Sequence, residues 1–176
     1  MDIRVVYDDG NVEFLSTGSD WKTSLSPVIF NGIYTAEHYD ARLEQVGWNT
    51  PDFNDEAWKN VSCTSAPSRV IRSQQMEPVR DVETLYPVSM IKSSPYSYLF
   101  DFGRNIAGVS ELTIKGKPGT EIRLSHSERI GDDNKADMSN IDYHYRPKDD
   151  SDPFQTDIFI SVSYTHLRAH ETSAHL

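Results

Sequence analysis

The run Asn31-Gly32-Ile33-Tyr34-Thr35-Ala36-Glu37-His38-Tyr39-Asp40-Ala41-Arg42 places Tyr34, Glu37, Tyr39, Asp40 and Arg42 in one short segment. Those residue types suit recognition of a sugar. An aromatic face stacks on the C–H side of a pyranose ring, while planar carboxylate and guanidinium groups bond paired hydroxyls. The same types also suit a purely structural arrangement. Asp40 or Glu37 can hold Arg42 by two parallel hydrogen bonds, forming a network that fastens one module to another. On residue types alone the network outweighs the ligand, and these five residues stand as the candidate substrate-binding set.

Hydrolysis of a glycoside usually needs two carboxylates across the scissile bond, about 5 Å apart for retention or roughly 6.5–9.5 Å for inversion. The chain holds 27 Asp and Glu residues, yet no spacing marks two of them as convergent. A Gly-x-Ser-x-Gly nucleophile motif does not occur either. No catalytic residue is therefore assigned.

Other chemistry-bearing runs have structural explanations. Asp101-Phe102-Gly103 spells the magnesium triplet of protein kinases, but the Gly-rich loop, strand lysine and His-Arg-Asp loop of a kinase do not precede it. Phe100 and Phe102 on one strand face, with Gly103 and Gly108 permitting tight turns, account for that run. Gly131-Asp132-Asp133-Asn134-Lys135-Ala136-Asp137 is acidic, yet the alternation of an EF-hand loop fails at Ala136. A solvated loop is expected there, and likewise at Asp149, Asp150 and Asp152. No metal site or cofactor is assigned; calcium is conceivable but unsupported. His126 and His144 are expected as packed or hydrogen-bonding histidines, and Cys63, the single cysteine, as a small half-buried apolar residue. Asn60-Val61-Ser62 fits the N-glycosylation pattern, but nothing else points to secretion.

The elements that must position these residues read as strands. Ile3-Arg4-Val5-Val6-Tyr7 and Val12-Glu13-Phe14-Leu15 flank Asp8-Asp9-Gly10-Asn11, the pattern of a hairpin closed by an Asp-Gly turn. Ser26-Pro27-Val28-Ile29-Phe30 is a short strand opened by proline. The loop from Gly47 to Trp58 is expected to end in a helical turn capped by Asn54 or Asp55 and anchored by Phe53 and Trp58. Pro67, Pro78, Pro87 and Pro95 make residues 62–95 extended, edge-like or linker-like, with a module boundary near residues 65–70. Tyr96 to Phe102 alternates with period two. Glu111-Leu112-Thr113-Ile114-Lys115 and Glu121-Ile122-Arg123-Leu124-Ser125 alternate likewise around Gly116-Lys117-Pro118-Gly119 and are expected to pair as a second hairpin. No long 3.6-residue period occurs before residue 160, so helix should be scarce.

Residues 161–176 change character, with three of the six histidines and neither strand alternation nor turn chemistry. Ser163-Tyr164-Thr165-His166-Leu167-Arg168-Ala169-His170-Glu171-Thr172 is similar to the translation of a sequencing adapter. A natural histidine-rich metal tail is the alternative. The adapter is the favoured origin, which would end the native sequence at about Ile160.

A length of 176 residues permits one domain or two small ones with a real core. With 37% hydrophobic residues and a mean hydropathy of -0.58, no apolar run approaches the roughly 20 residues of a membrane helix. A net charge of -10 argues against nucleic acid and anionic membrane as partners, and it is compatible with a neutral sugar. The N-terminus lacks the basic and apolar regions of a signal peptide. Met1 is compatible with an internal start, so the compartment stays open.

Two runs are richer than core building requires: Tyr39-Asp40-Ala41-Arg42-Leu43-Glu44, and Asp101-Phe102-Gly103-Arg104-Asn105-Ile106-Ala107-Gly108. Together with Asp20-Trp21, Pro27-Val28, Gly47-Trp48, Pro51-Asp52-Phe53, Lys115-Gly116, Pro118-Gly119-Thr120-Glu121 and Gln155-Thr156-Asp157, they resemble the accessory modules of bacterial alpha-L-rhamnosidases. The resemblance covers residues 21–160. In the family an Asn-Gly-Glu or Asp-Gly-Glu triplet tends to stand where this chain has Thr35-Ala36-Glu37, and an Asp is usual at Gly32. Asn140-Ile141-Asp142-Tyr143-His144-Tyr145-Arg146-Pro147 lengthens the segment before Gln155, as in one branch of the family.

The resemblance implies an all-β chain of two antiparallel, jelly-roll-like β-sandwich modules, both incomplete. Residues 1–66 would be the C-terminal part of the N-terminal module, 67–160 a truncated concanavalin-like module, and 161–176 the non-native tail. It also implies a parent that is an inverting glycoside hydrolase acting on terminal alpha-L-rhamnose. Its two catalytic glutamates would lie on a downstream α/α barrel absent from this chain. The expected partners are a rhamnose-containing carbohydrate and that barrel, with no nucleic acid and no membrane. The rival reading is a free-standing carbohydrate-binding or adhesion module.

Overall fold

A computed structural model describes residues 2–66, 68, 70–140, 154–162 and 164–170, the last stretch by its backbone alone. The chain is mostly β-strand. Its strands are β1 (Asp2–Val6), β2 (Val12–Ser16), β3 (Lys22–Thr23), β4 (Val28–Gly32), β5 (Ala36–Asp40), β6 (Lys59–Asn60), β7 (Ser89–Ser94), β8 (Ser97–Asp101), β9 (Val109–Lys115), β10 (Glu121–Ser125), β11 (Thr156–Ile160) and β12 (Tyr164–His170). The helical element among the described residues is a single 3-10 turn, Ala41–Leu43. Helix is scarce, as the absence of a 3.6-residue period predicts. His144, the insertion before Gln155 and the acidic cluster from Asp149 to Asp152 lie outside the described residues.

Two compact units emerge, one from Met1–Leu25 with Gln45–Pro78 and one from Ser26–Glu44 with Val79–Leu176. The first unit contains the expected β1–β2 hairpin, paired from Asp2↔Ser16 to Val6↔Val12. Its turn is set by Gly10 at φ 87° and by the Asp9 carboxylate, which accepts the Asn11 N–H at 3.0 Å. Past Gly47, Asn54 Oδ1 accepts the Glu56 N–H at 2.9 Å, and the rings of Phe53 and Trp58 meet edge-on at 5.6 Å. The segment closes as a hydrogen-bonded turn without a helix. Trp58 Nε1 donates to Gln45 Oε1 at 2.7 Å. Cys63 is exposed, contrary to expectation, and lies outside any strand in the stretch after β6.

The second unit holds a four-stranded sheet in the order β10-β11-β5-β4 and the separate pairs β9–β12 and β7–β8. Pairing is antiparallel throughout except between β5 and β11, which run parallel with Ile158 opposite His38 and Phe159 opposite Tyr39. The expected β9–β10 hairpin does not form. The turn itself exists, with Gly119 at φ 79° and the Thr120 N–H on the Lys117 carbonyl at 3.0 Å. Instead of returning its strand to β9, this turn is a corner between sheets. β9 pairs with β12, and β10 pairs with β11 from Glu121↔Ile160 to Ser125↔Thr156. The corner is pinned by Ser161, which is fully buried, receives the Gly119 N–H at 2.7 Å and donates its own N–H to Thr120 at 3.0 Å.

Residues Tyr164–His170 also depart from expectation. They pair in unbroken register with all of β9, Tyr164↔Lys115 to His170↔Val109. Backbone pairing requires donors and acceptors but no hydrophobic alternation, so a patternless segment can satisfy an open strand edge. The buried apolar residues Ala36, Ala41, Ile122 and Phe154 all lie in the second unit, interleaved with buried Thr35, Asp40, Gln155, Thr156 and Asp157. This core is as polar as it is apolar, so hydrogen bonds carry much of its cohesion.

Candidate functional site

The candidate segment is a hairpin. β4 and β5 pair from Phe30↔His38 to Gly32↔Ala36, and the chain turns through Ile33, Tyr34 and Thr35. Ala36 sits at φ 85°, in the left-handed region that favours glycine. The resemblance drawn from the sequence implies a glycine at this position. At Gly32 an added Cβ would collide with Thr35 Oγ1 and stand 3.3 Å from the Phe30 ring. Thr35 therefore occupies the space that a side chain at position 32 would need.

The hairpin tip is stitched to β11 by backbone. Gln155 donates its N–H to the Tyr34 carbonyl at 2.9 Å, and Thr156 to the Thr35 carbonyl at 3.1 Å. Asp157 Oδ1 accepts the Glu37 N–H at 2.9 Å. The Tyr34 ring lies 6.4 Å from that of Phe154, nearly parallel, and the residue remains 49% exposed.

Alternation along β5 separates the candidates. Glu37 and Tyr39 share one face and Asp40 belongs to the other. Glu37 accepts a bond from Asn31 Nδ2 at 3.2 Å. Tyr39 stacks on Phe159 with centroids 5.3 Å apart and planes 4° from parallel, and its hydroxyl donates to Glu44 at 2.7 Å. Burial, followed by that bond to a carboxylate, raises the Tyr39 phenol well above its ordinary range.

Asp40, the buried carboxylate, ends β5 and caps the 3-10 turn. Oδ1 accepts both the Arg42 N–H at 3.0 Å and Nε at 2.8 Å, and Oδ2 accepts Nη2 at 2.7 Å. The charge-assisted bonds from Arg42 hold the Asp40 carboxyl below its ordinary value and raise the guanidinium in turn. Asp40, and not Glu37, supplies the parallel pair to Arg42. The five candidates thus form three local clusters: Tyr34 with Phe154, Glu37 and Tyr39 on the β5 face, and Asp40 with Arg42.

Sequence reasoning passed over Asp157 except as part of a family run. It is 5% exposed, and its contacts lie far away along the chain, where local pattern gives no signal. In the acidic loop, Asp133 accepts the Lys135 N–H at 3.2 Å and its Nζ at 2.8 Å, and Asp137 accepts the Ser139 N–H at 2.9 Å. These carboxylates serve their own loop. Among the described residues, no three His, Cys, Asp or Glu side chains gather as a metal would require.

Residues 1–83 match the alpha-L-rhamnosidase N-terminal domain, and residues 91–162 match the bacterial alpha-L-rhamnosidase concanavalin-like domain. The chain belongs to the bacterial alpha-L-rhamnosidase family. It corresponds to the first of these domains followed by the second, in that order. It is 32% identical over 154 residues to an alpha-L-rhamnosidase of Alteromonas sp. (strain LOR), covering 84% of this chain and 17% of the relative. A Streptomyces avermitilis alpha-L-rhamnosidase is 31% identical over 141 residues, covering 79% and 14% respectively.

Solved rhamnosidase structures match equally broadly. That from Dictyoglumus thermophilum superposes with a TM-score of 0.83 at 28% identity, over 97% of this chain and 18% of that one. The Streptomyces avermitilis enzyme, solved with L-rhamnose, gives 0.79 at 28% identity over 97% and 16%. The chain thus spans less than a fifth of the length of these relatives.

Proposed function

We propose that the chain is the accessory front of an enzyme that removes terminal alpha-L-rhamnose from glycans or glycosides, and that it cleaves no rhamnoside itself. Its work is to scaffold the catalytic part of the same polypeptide and to hold rhamnose-bearing carbohydrate near it. The observation that carries this reading is the succession of two rhamnosidase accessory domains, which together occupy nearly the whole chain. The site geometry fits it: Asp40 and Arg42 spend their charges on each other, and Glu37 and Tyr39 are committed to Asn31, Glu44 and Phe159. Among the five candidates, half-exposed Tyr34 and the Arg42 side chain, 54% exposed, are best presented to a glycan.

We place the module boundary near residue 66, in the strandless stretch that precedes β7, and read residues 161–176 as foreign sequence. The second family match ends at residue 162, which supports foreign origin for the residues beyond it. Resequencing the source DNA across codon 160, with assay of both products on 4-nitrophenyl alpha-L-rhamnopyranoside, tests the proposal. The expected result is a frame that runs on into a long helical region, whose product cleaves the substrate while residues 1–176 do not. Turnover by residues 1–176 alone, or confirmation of this tail with a natural stop, would overturn it.

A further inference from the structure

Three strands of the second unit bring Ser110, His126 and Asp157 together. Ser110 lies on β9, His126 directly follows β10, and Asp157 lies on β11. Ser110 Oγ is 2.8 Å from His126 Nε2. On the other side of the ring, Nδ1 is 3.9 Å from Asp157 Oδ2, with the two side chains 13% and 7% exposed. The backbone N–H of His126 donates to the Gln155 carbonyl at 3.0 Å, and Asp157 is fixed through Oδ1 by the Glu37 backbone N–H at 2.9 Å.

The geometry points to an acyl-transfer site in which Ser110 is the nucleophile, His126 the general base and Asp157 the positioning carboxylate. A carboxylate facing Nδ1 favours the tautomer protonated there, which leaves the Nε2 lone pair for the serine proton. The Nδ1–Oδ2 separation exceeds a hydrogen bond and must close by about 1 Å, a tightening common on substrate binding. The site meets the candidate carbohydrate set at one point, the bond from the Glu37 backbone N–H to Asp157 Oδ1, and its chemistry does not depend on the rhamnosidase reading.

The surroundings set the substrate class. Ser110 and His126 are only partly exposed, so the group transferred is small. The carboxylates of Asp157 and Glu37, with a net charge of -10, disfavour an anion. A short-chain neutral ester fits both conditions. Ser110 Oγ bonds to the ester carbonyl as His126 Nε2 takes its proton. The tetrahedral adduct then expels the alcohol, which leaves with that proton. Water, deprotonated by His126, attacks the acyl-serine and releases the carboxylic acid and free Ser110.

The test is covalent. The 176-residue chain is treated with a fluorophosphonate, which forms a Ser–O–P bond and expels fluoride, and is then digested and mapped by mass spectrometry. The expected result is one adduct, on the peptide containing Ser110, with the labelling rate reduced by about 10²-fold or more in His126→Asn. Absence of an adduct, an adduct elsewhere, or an unchanged rate in His126→Asn would each overturn the assignment. The map of the unsubstituted chain decides the location even if the variant fails to fold. In that map, a silent Ser110 would mean that the trio is only a hydrogen-bonded fastener between sheets.

Discussion

The backbone N–H of Glu37 donates to Asp157 Oδ1 at 2.9 Å across 120 positions of sequence. It joins a strand in the N-terminal domain match to a strand in the concanavalin-like match, beside the parallel β5–β11 pairing. Removing the acceptor would leave a part-buried donor without its bond, which costs about 1–3 kcal/mol. Asp157→Ala should therefore speed hydrogen exchange at the Glu37 amide by about tenfold or more, while the Asn11 amide of the β1–β2 turn is unchanged. Equal exchange at Glu37 in both proteins would show that the contact contributes nothing.

Ala36 offers a stabilising change. A left-handed backbone costs a non-glycine residue about 1–2 kcal/mol, and glycine loses part of that advantage through its freer unfolded chain. Ala36→Gly should accordingly be neutral to stabilising by up to about 1 kcal/mol, read as slower exchange at the β4–β5 amides. Ala36→Val should do the opposite, since a branched side chain tolerates φ 85° poorly. A valine variant with wild-type exchange would contradict the strain assigned here.

The Asp40–Arg42 pair makes acid stability a second readout. The bonds from Arg42 lower the folded-state carboxyl below its ordinary 3.8, so the unfolded chain binds that proton more tightly. The contribution is complete above about pH 4 and is lost as pH falls through the depressed folded value. Asp133 and Asp137 are shifted the same way, by Lys135 and Ser139 respectively, so the slope of one protein cannot be assigned to Asp40 alone. Asp40→Asn isolates it. Followed by circular dichroism from pH 6 to pH 2, the variant should have the shallower acid limb, and parallel limbs would remove Asp40 from the account.

What the sequence made legible was local. The β1–β2 hairpin follows from Asp9-Gly10, and the Asp40–Arg42 pair joins residues two positions apart. Strand existence over residues 111–115 and 121–125 was equally readable from alternation. Their partners were not. Period two tells that a strand has two faces, but a glycine turn closes a hairpin or a corner between sheets with the same residues. The choice lies with β11 and β12, more than thirty positions from β10, and no local pattern carries it. Asp157 escaped for the same reason.

The last expectation concerns exposed apolar surface. Among the described residues, large apolar side chains stand open to solvent: Phe14 is 69% exposed, Val46 90%, Ile71 89% and Tyr96 97%. Large apolar exposure marks surfaces that are normally covered, and edges such as β4 add unpaired backbone to it. Residues 1–176 expressed alone should therefore bind 8-anilinonaphthalene-1-sulfonate and melt broadly, at a temperature that changes with protein concentration, or aggregate. Amides of β5 and β11 should exchange last and those of residues 70–87, which form no strand, first. A sharp, reversible melt of a monomer that leaves the dye dark would mean that the buried apolar residues among those described, Ala36, Ala41, Ile122 and Phe154, suffice as a core.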